Sequence, residues 1–168
     1  MKKLALLITA FLFFAVMITG CSKKAPDLSE VTVIKIGVFE PMTGANASGG
    51  ELEVQGIKLA NELFPEVLGK KIELVIADNK SDKVEAANAA ERLVNNDKVT
   101  AIIGSWGSSF CMAAGPIIKG KVPAVACSAT NPLVTKGNDW YFRVCFLDPF
   151  QGQFMATSAV KNLNTKTA

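Results

Sequence analysis

Three short segments hold the side chains best suited to chemistry. "PMTGANASGGE" (41–51), "GSWGSS" (104–109) and "SATNP" (128–132) are dense in glycine and hydroxyl-bearing residues, and each follows an apolar run. In "GSWGSS", Gly104 and Gly107 flank Trp106, and Ser108 and Ser109 open a helical pattern. Uncovered backbone N–H groups and the positive end of the helix dipole make such a start ready for an anion. A carboxylate there gains about 0.3–1 kcal/mol when exposed and up to ~2 kcal/mol when partly buried. Ser108 has a second reading, because a serine at a helix start also caps it, and a cap and an anion site share one geometry.

Covalent and phosphate chemistry finds little support. "GSWGSS" lacks the G-K-[ST] ending of a Walker loop, and "GANASGG" does not match G-x-G-x-x-G. The chain contains no His and no G-x-S-x-G elbow, so no Ser-His-Asp triad can be assembled. Asp78 and Asp148 have no paired carboxylate at an evident spacing. Beyond Cys21 there remain Cys111, Cys127 and Cys145, an odd number with no C-x-x-C spacing. Buried free thiols are expected, with no metal site, no cofactor and no catalytic residue.

The elements that must carry these loops alternate. "VIKIGVF" (33–39) sets Ile34, Ile36 and Val38 on one face, and "KKIELVIAD" (70–78) does the same with Ile72, Leu74 and Ile76. "TAIIGS" (100–105) is almost wholly apolar, as a central strand covered on both faces would be. "VPAVACS" (122–128) and "YFRVCF" (141–146) are the fourth and fifth strands, with Pro123 near a strand start. Helical spacing appears from about Glu51 to Phe64, with Leu52, Leu59, Ala60 and Leu63 on one side. A second helix begins at the capping pair Asp82 and Glu85 and buries Ala86, Ala90, Leu93 and Val94. A third, at 108–120, turns Met112, Ala113 and Ile117 inward. Repeated β-α-β units enforce a doubly wound parallel α/β sheet, whose ligands lie beyond the carboxyl ends of the strands. All three loops fall on that edge.

The ends of the chain read differently. Lys2 and Lys3, an apolar run from Leu4 to Ile18, and Thr19-Gly20-Cys21 make a secretory signal, too short for a permanent span. "ITGC" resembles a bacterial lipobox, which implies lipidation of Cys21 and cleavage before it. Residues 22–32 are then a polar tether. Removing Lys2 and Lys3 lowers the net charge from +3 to +1, which argues against a nucleic-acid partner. After "DPFQGQ", a helix carrying Met155, Val160 and Leu163 has no apolar partner, and residue 168 is expected to be an interruption.

Five segments in order carry a resemblance: "IKIGVFEPMTGANASGGELEVQGIKLA", "ADNKSDKVEAANAAERLV", "AIIGSWGSS", "VPAVACSATNPLVT" and "YFRVCFLDPFQG". Together they resemble the type I periplasmic binding proteins that serve branched-chain amino acid ABC importers. The resemblance implies a two-lobed clamp, with residues 33–147 as an incomplete first lobe and 148–168 as a crossover into the second. It implies ligand contacts at Trp106, Gly107 and Ser108 and at Ser128, Ala129 and Thr130. Ser108 would hold the α-carboxylate. The Ser128 carbonyl and Thr130 hydroxyl would meet the α-ammonium or complete the carboxylate shell, and Trp106 would form an apolar wall. It implies an amino-acid ligand, permease subunits as partners, an exported protein anchored through Cys21, and no enzymatic activity. The same architecture also serves ligand sensing. Where the best-known members place an aromatic on the first loop, this chain has Gly49-Gly50, so that wall is missing or supplied elsewhere.

Overall fold

A computed structural model describes residues 31–167; the signal run and Cys21 lie outside the described residues. Strand β1 (Val33–Glu40) is the axis of the sheet. It pairs in parallel with β3 (Lys70–Asp78) on one side and with β4 (Ala101–Ile103) on the other. Parallel strands β5 (Ala124–Ala126) and β6 (Tyr141–Arg143) continue beyond β4, and β2 (Glu66–Val67) pairs antiparallel with β3. The order is β2-β3-β1-β4-β5-β6. The two expected faces align in register, with Ile34, Ile36 and Val38 beside Ile72, Leu74 and Ile76. The doubly wound α/β class is as expected, although β5 and β6 are shorter than the apolar runs that contain them.

The helices are α1 (Ala47–Leu63), α2 (Lys83–Glu91), α3 (Ser108–Ile118) and α4 (Asp148–Leu163). One sheet face is closed by α2 and α3, where Phe39, Ala77, Ile102 and Ala126 meet Ala86, Ala90, Leu93, Phe110 and Ile118. The opposite face has α1 beside it, and a groove of about 550 Å³ remains between them, lined by Ile36, Ile57, Ala60, Ile72, Leu74 and Ile103. No helix among the described residues is long and apolar enough to cross a membrane.

Two inward stripes differ from the sequence expectation. In α1 the buried residues are Gly50 and Val54, while Leu52, Leu59 and Leu63 are exposed. In α3 the buried residues are Phe110, Cys111, Ala114, Gly115 and Ile118, and Met112 is exposed. Both helices carry apolar residues on more than one side, so the period alone cannot select the buried side. Helix α4 buries no residue, and Met155, Val160 and Leu163 are exposed.

Capping was the more reliable signal. The Asp82 carboxylate accepts the N–H groups of Val84 at 2.7 Å and Glu85 at 3.0 Å. Asp82→Ala should therefore lower stability by about 1 kcal/mol. Denaturant midpoints check this, and an unchanged midpoint would mean that water replaces the cap without loss.

Candidate functional site

Each loop leaves the carboxyl end of a strand, and a network of short polar side chains ties the loops together. The first loop follows β1. Its Thr43 hydroxyl donates to Asp78 at 2.6 Å, and the Met42 and Thr43 N–H groups donate to the same carboxylate. Burial opposes the charge on Asp78, but these bonds and one from Lys80 N–H outweigh it and hold its carboxyl below the usual range. Asp78 is thus a brace for the first loop.

Under the second loop, Asn79 donates to the Ser105 hydroxyl at 2.8 Å, and both side chains are buried. The Ser105 N–H bonds the Cys111 thiol, and the Tyr141 hydroxyl donates to the Gly104 carbonyl at 2.6 Å. Burial pushes the Cys111 thiol up to about 11 and the Tyr141 hydroxyl well above its ordinary value. Both keep their protons at neutral pH and act as fixed struts.

The sequence-selected residues converge above these struts. Gly107 stands at the start of α3 with φ of +93°, and no side chain caps the helix. The Ser108 hydroxyl, half-buried, instead accepts the Asn131 N–H at 3.1 Å, joining the second loop to the third. Of the two readings of Ser108, the cap is the one this geometry does not use. The first N–H groups of α3 remain outside the helix ladder, as any helix start requires.

Trp106 is half-buried, and its ring lies over Gly49. A Cβ at Gly49 would sit 2.5 Å from the indole, so this glycine is what lets the ring approach. An aromatic surface therefore does stand at the first loop, supplied from the second.

In the third loop, Ala129 is buried, Thr130 half-buried and Ser128 exposed. The Ser128 hydroxyl donates to Glu53 on α1. Arg143 fixes this loop from β6. Its guanidinium donates to the carbonyls of Ala129 at 2.6 Å and Asn131 at 2.9 Å and to the Thr135 hydroxyl at 3.0 Å. The Thr130 carbonyl accepts Asp148 N–H at the start of α4.

Glu40, Asn79, Ser105 and Arg143 were not singled out in the sequence. Glu40 alone gave a signal, as an acid at the carboxyl end of the strand, after the apolar Val38 and Phe39. Glu40, Glu53 and Cys127 bring side-chain atoms within 4.8 Å of one another. Burial raises Glu40 to about 9 and Cys127 to about 12.

A parallel sheet presenting a helix start, an indole and a hydroxyl-rich loop on one edge defines an α/β ligand-binding lobe. Residues 33–168 match the periplasmic binding protein family, and the chain belongs to it. An amino acid binding protein of Pseudomonas aeruginosa is 36% identical over 138 residues, covering 79% of this chain and 37% of the relative. The leucine-binding protein LivK of Thermotoga maritima superposes with a TM-score of 0.75 at 48% identity, covering 79% of this chain and 38% of that one. A branched-chain amino acid transporter substrate-binding protein of Streptococcus pneumoniae, solved with isoleucine, has a TM-score of 0.73 and 36% identity, covering 79% and 39%. The chain thus spans less than two fifths of the length of these relatives.

Proposed function

We propose that this chain supplies the first lobe of an exported receptor that captures amino acids, branched-chain or other small ones, for an ABC permease. The observation that carries this reading is the convergence of Trp106, Ser108 and Thr130 on one sheet edge, held by Asn131 and Arg143. The α-carboxylate sits at the start of α3, on Gly107, Ser108 and the unladdered N–H groups. The Ser128 carbonyl and Thr130 hydroxyl take ammonium protons or complete the carboxylate shell, and Ala129 lets the backbone approach. Trp106 walls the apolar side chain. The second lobe closes over the other side, so affinity depends on both lobes. Cleavage before Cys21 and a diacyl anchor there would hold the receptor at the membrane, since two chains anchor stably where one does not.

The test uses the full-length receptor. A hydrogen bond to a charged group contributes roughly 1.5–3 kcal/mol, so Ser108→Ala or Thr130→Ala should weaken amino-acid binding about ten-fold or more. Calorimetry against a panel of small amino acids and simple carboxylates reads this. Unchanged affinity in both variants, with folding intact, would reduce these hydroxyls to loop braces.

A further inference from the structure

Strand β1 ends in an acid that nothing outside offsets. The Glu40 side chain is fully buried, and one of its oxygens accepts the Trp106 N–H at 2.5 Å and the Ser105 hydroxyl at 3.3 Å. Glu53, on α1, accepts the Ser128 hydroxyl. Each carboxyl therefore grips a different ligand loop with one oxygen. The other oxygens, Oε1 of Glu40 and Oε2 of Glu53, are buried and have no donor among the described residues.

A carboxyl oxygen of Glu40 and one of Glu53 lie within 4.8 Å of each other. The other titratable groups around Glu40 are Cys127 after β5, Cys111 on α3 and Tyr141 on β6, all neutral. Neither described ion pair, Lys80 with Glu85 nor Arg92 with Asp97, involves this pair. Glu40 is buried and Glu53 half-buried, and no ion pair among the described residues reaches them. Two such carboxylates side by side repel each other, and one proton between them relieves that cost.

We propose that Glu40 and Glu53 share a single proton and thereby act as a positioning pair, latching the Trp106 loop to the Ser128 loop and setting the spacing of the ligand contacts. The inference rests on the reading of those loops as the binding edge. Neither acid touches the ligand. Burial, and next to it the charge of Glu53, hold Glu40 up at about 9 against the pull of Trp106 N–H. The latch is closed throughout the neutral range. It opens as pH rises through that value, because the two carboxylates then push α1 away from the end of β1.

The experiment measures isoleucine binding to the full-length receptor from pH 6 to pH 10, in wild type, Glu40→Gln and Glu40→Leu. Glutamine keeps both functions, accepting from Trp106 and donating to Glu53, without a titrating proton. Wild type should lose about ten-fold in affinity beyond whatever loss Glu40→Gln shows, that common loss being the ligand's own ammonium titration. Glu40→Gln should match wild type at pH 7, and Glu40→Leu should bind about ten-fold more weakly.

A second readout needs no ligand. In a Trp140→Phe background Trp106 is the remaining tryptophan, because the chain has two. Its emission should shift with a midpoint near pH 9 in wild type and stay constant in Glu40→Gln. If isoleucine fails to bind but that shift appears, the latch stands and the assigned ligand class falls. Emission that does not change with pH, or the same titration in Glu40→Gln, overturns the shared proton.

Discussion

Gly104→Ala should destabilise the protein by about 2–5 kcal/mol, while Gly120→Ala should cost only about 1 kcal/mol. Both glycines have positive φ, +131° at Gly104 and +74° at Gly120. Gly120 faces open space, so a methyl group there meets backbone strain alone. At Gly104 a Cβ would stand 2.5 Å from the Phe39 carbonyl and 2.9 Å from Glu40 Oε1. The obstacle is the β1 backbone, which cannot swing aside as a side chain can. A φ of +131° also lies outside the left-handed region that other residues tolerate. Strain contributes roughly 1–3 kcal/mol and forced displacement a similar amount. Denaturant midpoints of the two variants read the difference, and equal losses would show that the second loop yields where this packing says it cannot.

Stability should fall as pH is raised from 5 to 9, by up to about 1.4 kcal/mol per unit, and Glu40→Gln should flatten that slope. The sign follows from the direction of the shift. Glu40 titrates at 4.5 when free and at about 9 in the folded protein, chiefly because it is buried. Between those values the folded state holds the proton that the unfolded chain has lost. The contribution is complete below 4.5 and vanishes as pH passes about 9. Asp78 works the other way, its stabilising bonds being lost as pH falls, but it is only half-buried and adds little. The buried thiol of Cys111 and the half-buried thiol of Cys127 enter only above pH 9, because their free value is 9.0. Unfolding measured at pH 5, 7 and 9 decides the matter. A flat profile in wild type, or an equal slope in Glu40→Gln, would remove Glu40 as its source.

The framework was legible because its signals are local. Alternation in β1 and β3 needs only neighbours in sequence, and their register pairs Ile36 with Leu74 as the shared face demands. The Asp82 cap reaches two and three residues ahead. The inward sides of α1 and α3 were less legible, since choosing between Leu59 and Val54, or between Met112 and Cys111, depends on what lies across the sheet. The placement of the binding edge followed from strand ends alone. Its internal wiring did not. Ser108 bonds Asn131, 23 residues later, Asn79 bonds Ser105, 26 residues later, and Ser128 reaches back 75 residues to Glu53. The glycine pair at 49–50, read as a wall missing or supplied elsewhere, takes its meaning from an indole more than fifty residues downstream.

The unequal closure of the two sheet faces bears on how the protein is best produced. Every residue sealing the α2 and α3 face lies between positions 39 and 141, so that half can consolidate from one contiguous stretch of chain. The face beside α1 keeps Ile36, Ile72, Leu74 and Ile103 along an open groove. A molecule with that groove open carries a formed sheet that is adhesive on one side. Loss to clumping in that state rises with the number of neighbours in the same condition. Slow synthesis should thus recover more native protein than fast synthesis, even for variants of identical equilibrium stability.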